Sequence, residues 1–277
     1  MPGEDLPDAI AAARRLAASG IPTTFTHLGE NIADASEAER VVVEYEAILD
    51  AVHGAGLDTE ISVKLTHLGL DLGEDVAAKN LRRLVDKAAE SGNWVWIDME
   101  SSPYVDRTLE IFRGFGEPNV GVCLQASLRR TESDVTRLPV DASIRLVKGA
   151  YREPAELLVG SKSSIDDRYV ALALRILERQ AGTSARLALA THDVALLHRI
   201  EREAVEAGTQ LATAEIQMLY GIRPDQQLRI ARSGRRVRVL VAYGEYWYPW
   251  FMRRLAERPS NALLVARGLF DTRVTAT

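Results

Sequence analysis

Short apolar runs recur along this chain, separated by longer stretches in which apolar residues return every third or fourth position. The short runs cover residues 22–26 (PTTFT), 60–65 (EISVKL), 94–99 (WVWIDM), 120–125 (VGVCLQ), 143–148 (SIRLVK), 186–190 (RLALA), 214–218 (AEIQM) and 236–241 (RVRVLV). Their length and β-branched content read as buried strands. Helical spacing marks 6–18, 35–52, 74–90, 103–115, 165–180, 194–207 and 224–233, with a shorter element near 132–137. Ser19-Gly20 stops the first helix, and Val42, Tyr45, Leu49 and Val52 share one face of the second. Strands that alternate with helices are parallel, and eight such units in 277 residues predict a single closed (β/α)8 TIM-type barrel. No G-x-G-x-x-G follows an early strand, which argues against an open doubly wound sheet. No linker-like run divides the chain, so residues 1–277 read as one domain, with 1–20 as an N-terminal helix and 262–277 as a tail.

One further helix is predicted from Trp247 to Asn261. Trp247, Trp250, Phe251 and Leu255 recur there at helical spacing as its buried face, and Pro259 ends it. Arg253 and Arg254 stand side by side within it, with Glu257 one turn on. Paired arginines are usually a solvated face, but beside aromatic bulk their planar forks suit a carboxylate.

Composition narrows the function classes. A net charge of −5 and a pI near 5.7 argue against nucleic acid as the main partner. Cys123 is the single cysteine, which excludes an internal disulfide framework and suits a reducing compartment. The chain opens on a polar, acidic segment rather than a signal-peptide pattern, and no apolar run is long enough to span a bilayer. A soluble, surface-associated protein is the expectation.

A barrel places chemistry at the C-terminal ends of its strands. The unusual polar residues fall there: Glu30, Lys64, Asp98, Glu100, Gln125, Arg145, Lys148, Thr191, His192, Asp193 and Gln217. Any one of them has an ordinary reading, and Asp193 is placed to cap the next helix. Lys64, Asp98 and Arg145, however, are read inside otherwise apolar strands, where an unpaired charge is costly. They must pair with one another or with a charged ligand. Lys64, Arg253 and Arg254 supply positive charge for an anion, and Asp98 balances a cation, so a ligand with both carboxylate and ammonium would use them all. Arg145 and Lys148, followed by Gly149-Ala150, form a second positive group suited to a phosphorylated cofactor. The five histidines show no metal-ligand spacing, and no Ser-His-Asp elbow is present.

The motifs SVKLTHLG, WIDMES, SIRLVKGAY, ATHD, QMLYGI and MRRLAERPSN occur in one order between His27 and Asn261. Together they resemble the proline dehydrogenase family, both the monofunctional bacterial enzymes and the dehydrogenase module of proline utilisation proteins. That resemblance implies oxidation of L-proline to Δ1-pyrroline-5-carboxylate on non-covalently bound FAD, in a distorted barrel whose last helix lies across the mouth. By motif position, Lys64, Arg253 and Arg254 would hold the substrate carboxylate, with Asp98 beside it organising the basic residues. Arg145 would approach the reactive edge of the flavin and Gln125 its ring. Lys148, Gly149, Ala150, Thr191 and His192 would hold the ribityl, pyrophosphate and adenosine portions, and Glu257 the ribose. Glu30 resembles a gate acid that pairs with Arg253. The family commonly has a tyrosine against the proline ring in the eighth strand; here Leu240 stands there, and Tyr243 should face the other way. A related cyclic or N-alkylated amino acid is therefore an alternative substrate, and a non-catalytic flavin-binding module a third reading. The resemblance further implies a quinone acceptor at the inner face of the cytoplasmic membrane, reached by peripheral contact from the cytoplasm. In 277 residues there is no room for an aldehyde dehydrogenase module, so pyrroline-5-carboxylate dehydrogenase is expected to be a separate protein.

Overall fold

Each apolar run forms a strand, and every strand pairing is parallel. In this computed structural model, which describes residues 1–209, 214–248 and 252, eight strands close into a barrel in chain order. They are β1 (Thr23–His27), β2 (Thr59–Val63), β3 (Val95–Ile97), β4 (Val120–Gln125), β5 (Ser143–Val147), β6 (Leu187–Ala190), β7 (Glu215–Leu219) and β8 (Val237–Tyr243). β8 returns to β1 with Leu240 opposite Thr24 and Val241 opposite Phe25. The helices α2 (Ala35–Gly54), α3 (Glu74–Glu90), α4 (Val105–Arg113), α5 (Thr131–Arg137), α6 (Lys162–Arg179), α7 (Val194–Glu206) and α8 (Pro224–Arg232) follow β1 to β7 in turn. The chain thus has the (β/α)8 architecture.

Ahead of the barrel, α1 (Leu6–Ala17) carries Pro7 in its first turn and packs against β1 and β8.

Alternation along each strand sorts the side chains. One set, including Ile61, Val63, Ile97, Leu146, Leu189 and Val239, is fully buried under the helices and forms the main core. The other set points into the barrel and is largely polar. At the N-terminal end, Arg238 reaches Glu215 at 3.1 Å, Glu60 at 3.3 Å and Asp58 at 2.9 Å. Arg186 reaches Glu60 at 2.7 Å across the interior and lies 4.4 Å from the Trp94 ring. Burial alone would lower the pKa of Arg238; Glu60, Glu215 and Asp58 more than offset that and raise it. This ionic floor is self-satisfied, so its charges do not call for a ligand.

The strands end sooner than the apolar runs suggest. β2 stops at Val63 and β3 at Ile97, so Lys64 and Asp98 lie just beyond strand ends rather than within strands. The Asp98 N–H still bonds the Val63 carbonyl at 2.8 Å, the last backbone bond between these two strands. Arg145, by contrast, is central in β5. Trp247, expected to be buried, is exposed. The predicted helix otherwise falls mostly outside the described residues, as do Trp250, Phe251, Arg253, Arg254 and Glu257.

Candidate active site

Toward the C-terminal mouth Lys64, Asp98 and Arg145 fall into two separate ion pairs. In the first, Arg145 Nη1 donates to Asp98 Oδ1 at 2.7 Å and to Ser62 Oγ at 2.6 Å, while the Ser62 hydroxyl donates to Asp98 at 2.8 Å. Ser62 is on β2 and Arg145 on β5, so this contact crosses the barrel interior. Arg145 is 2% exposed, and its Nε and Nη2 are buried without a hydrogen-bond partner among the described residues. Such orphaned donors are costly, and in a native site they point to a missing acceptor. The guanidinium carbon also lies 4.7 Å from the Trp96 ring centre.

The second pair joins Lys64 Nζ to Glu30 Oε2 at 2.8 Å, both groups being partly buried. The structure thus separates Asp98, which serves Arg145, from Lys64, which serves Glu30. The Lys64 ammonium is thus already engaged by Glu30, while Arg253, the expected partner of Glu30, lies outside the described residues.

His67 packs beneath this loop. A Cβ on Gly29 would come 2.1 Å from His67 Nε2, so only glycine allows the backbone that carries Glu30 to sit on the ring. His67 stacks on His27 at 5.6 Å. Burial, then the neighbouring His27 and Lys64, pull the His67 pKa down to about 3, leaving it neutral.

Glu100 is a buried acid beside the same loops. Its carboxylate accepts from the Thr66 hydroxyl and, at 3.1 Å, from the Thr66 N–H. Burial pushes its pKa up to about 7, against the pull of Thr66 and Lys64. Its carbonyl accepts from Gln125 Nε2 at 2.9 Å, so Gln125 spends one donor on the protein and sits at the end of β4 with little exposure.

Around β5 and β6 a second cradle forms. Gly149 has φ +122°, and a Cβ there would approach Ser127 Oγ to 2.2 Å and Gln125 Oε1 to 3.3 Å. Ala150 follows it, half-buried. Lys148 is spanned by Asp166 and by Asp193, the latter at 3.3 Å. Asp193 also caps α7, accepting from the Leu196 N–H at 3.2 Å, as its sequence position predicts. Thr191 Oγ1 accepts from the Asp193 N–H at 3.1 Å, and His192 Nε2 accepts from Leu219 N–H at 3.4 Å. Lys148, read as a phosphate ligand, therefore has its charge shared between two carboxylates.

Leu240 is on the inward face of β8, half-buried, whereas Tyr243 is buried on the outer face with its hydroxyl donating to Glu44 at 3.0 Å. Strand alternation is obeyed, and Tyr243 does not reach the interior. Sequence reasoning passed over Ser62 and Trp96, which share the inward face with Lys64 and Asp98 two residues later. Counting back by two from each recognised charge would have found both. It also passed over Asp166, which a helical pattern does not mark.

Comparison with known proteins follows the same lines. The family model described as proline dehydrogenase matches residues 9–267. Proline dehydrogenase 1 of Bacillus subtilis (strain 168) is 36% identical over 270 residues, covering 96% of this chain and 88% of that protein. Proline dehydrogenase of Deinococcus radiodurans is 37% identical over 275 residues, covering 96% of this chain and 87% of that protein. Among solved structures, proline utilization A from Bdellovibrio bacteriovorus, inactivated by N-propargylglycine, superposes with a TM-score of 0.84 at 25% identity. That match covers 94% of this chain and 32% of the other, so the chain spans about a third of that larger protein.

Proposed function

The chain belongs to the proline dehydrogenase family, and on that footing we propose that it oxidises L-proline to Δ1-pyrroline-5-carboxylate using non-covalently held FAD. The observation that carries this reading is Arg145: a buried guanidinium at the barrel mouth with two donors unspent. The Gly149 cradle, which any Cβ would fill, is the second feature that fits a flavin nucleotide. The buried Cys123 thiol, pushed up to about 12 chiefly by burial and then by Asp98, offers no thiolate for covalent attachment.

FAD supplies, when bound, the two-electron acceptor for the hydride that leaves the ring carbon beside the amine. Everything else falls to the protein. Asp98 and Ser62 hold Arg145, whose free donors would face the flavin edge and stabilise negative charge developing there. Lys64, with Arg253 and Arg254, would clamp the substrate carboxylate, and Glu30 would release Lys64 as the substrate arrives. Gln125 would bond the flavin ring through its remaining polar atom. Lys148, Gly149, Ala150, Thr191 and His192 would hold the ribityl, pyrophosphate and adenosine parts, with Glu257 at the ribose. A phosphate on Lys148 would displace part of its pairing with Asp166 and Asp193. Electrons would pass to a quinone through peripheral membrane contact, and product to a separate pyrroline-5-carboxylate dehydrogenase. Among the described residues no helix is long and apolar enough to cross a membrane.

Leu240 favours a second reading of the substrate. It points inward and is half-buried, so the wall there is smaller and less aromatic than a tyrosine would make it. Proline has no ring hydroxyl to satisfy, so it remains the preferred substrate, held less tightly by about 1–3 kcal/mol.

Anaerobic titration of the purified, flavin-loaded protein with a panel of cyclic amino acids tests both readings. Proline should bleach the flavin, and bulkier ring analogues should do so less efficiently. Bleaching by none of the panel would overturn the assignment. Bleaching by an N-alkylated analogue and not by proline would replace the substrate.

A further inference from the structure

The floor and the mouth of this barrel are joined by one side chain. Trp96 is fully buried inside the barrel, and its indole N–H donates to Glu60 Oε2 of the ionic floor at 2.7 Å. Its ring carries Arg145 above it, with the guanidinium carbon 4.7 Å from the ring centre. On the neighbouring strand Gly121 leaves room for the indole: a Cβ there would come 2.5 Å from Trp96 Cζ3. Anchor, ring and glycine are thus fitted to one another.

Arg145 needs such a support. Both of its hydrogen bonds leave from Nη1, to Ser62 and Asp98. A planar fork held by one of its three nitrogens can pivot about that point, and Nε and Nη2 would sweep with it. An aromatic face, negative at its centre, attracts the cation and stops the pivot, and the attraction is strongest where water is excluded. We propose that Trp96 is a positioning residue: clamped at Glu60, it fixes the plane of the Arg145 guanidinium and so aims Nε and Nη2 at the flavin edge. The inference rests on the assignment of Arg145 to that edge, and the two can fail separately.

The test uses the flavin-loaded enzyme, and four changes address Trp96. Trp96→Leu removes face and anchor, and Trp96→Phe keeps a face. Gly121→Ala pushes the ring aside without touching either partner. A polyfluorinated tryptophan, introduced at position 96 alone, keeps the shape and drains negative charge from the ring face. The readouts are the rate constant of anaerobic flavin reduction by proline, the KM for proline, the midpoint potential of the bound flavin and the melting temperature. Trp96→Leu and Gly121→Ala should slow reduction by about tenfold or more, the scale of a desolvated cation–π contact. KM should move by no more than about twofold, because the clamp at Lys64 is untouched. The potential should fall, since a less fixed cation stabilises reduced flavin less well. Trp96→Phe should stay within about threefold of wild type, and the fluorinated protein should lie between.

A residue that only fills space would lower the melting temperature and leave rate and potential alone. That result, from the fluorinated protein or Gly121→Ala at a temperature where it is folded, overturns the proposal even if Trp96→Leu fails to fold. Arg145→Met separates the two assignments. If it reduces normally, the role of Arg145 falls and takes this inference with it; if it is slow while the Trp96 series is normal, only Trp96 is misassigned.

Discussion

Arg145 is bonded through a single nitrogen, and the fate of its other two decides what the mouth can do. Arg145→Met is expected to slow flavin reduction by about 100- to 1,000-fold, the scale of one lost oxyanion-type donor. Flavin affinity, measured by fluorescence titration, should change by far less; the reverse ranking would make Arg145 a binding residue only. Leu240→Tyr addresses the other end of the substrate. Added aromatic bulk should lower the KM for proline and sharpen its preference over hydroxyproline, and a variant with both values unchanged would show that position 240 does not read the ring. Two buried groups also make stability depend on pH, in opposite senses. Glu100, pushed up to about 7 by burial, binds its proton in the fold more tightly than in the unfolded chain. Its contribution is fully present below the ordinary carboxylate pKa and is lost as pH rises through about 7, a difference of roughly 3 kcal/mol. His67, pulled down to about 3 by burial, stays neutral in the fold while the unfolded chain protonates near 6.5, so stability is lost as pH falls from there toward 3. Glu100→Gln should therefore move the pH of maximum stability upward and His67→Gln should move it downward, as denaturant titrations across pH would show.

Among the elements, α7 and its cap tie stability to the site. Asp193 both starts the helix and shares Lys148 with Asp166. Asp193→Ala should cost about 1 kcal/mol, the worth of an N-cap, whereas Asp193→Asn should keep the cap. The same Asp193→Asn removes a negative charge beside Lys148 and should tighten FAD, measured by titration of the apoprotein; weaker binding would show that no phosphate lies at Lys148. The order of strands and helices was legible because each strand is an apolar run buried under helices and each helix keeps its 3.6-residue period. Strand ends were not. Leu65 and Met99 carry the apolar runs on past Lys64 and Asp98, and only closure of the barrel decides where the ladder stops. The charges Lys64, Asp98 and Arg145 were legible as a set, because apolar surroundings make them conspicuous. Their pairing was not, since Arg145 meets Ser62 and Asp98 across strands remote in sequence. Trp96 was hidden for a different reason: in an apolar run, a platform and a core residue look the same.

For the whole molecule, the ionic floor is the feature that spans the chain. Glu60, Arg186, Glu215 and Arg238 come from β2, the residue before β6, β7 and β8, and they pair with one another, with Asp58 and the Trp96 indole completing the set. Arg238→Met should destabilise the protein by about 3–5 kcal/mol, because it leaves Glu215, in a water-poor interior, with only the longer contact to Arg186 at 3.5 Å for a counter-charge. Replacing Glu215 as well with an apolar residue of similar size should recover part of that loss, as a chemical-denaturation cycle would show. The timing of folding follows from the same arrangement. A nascent chain that has made its first five strands holds Glu60 on what will become an inner face, with neither Arg186 nor Arg238 yet synthesised. Until Arg186 arrives just ahead of the sixth strand, that acid is stable only while hydrated, so the half-built sheet must stay open to water instead of collapsing on itself. The floor then acts as a latch. It rewards only the complete circle, and separately expressed halves of this barrel should each stay loosely packed until they meet.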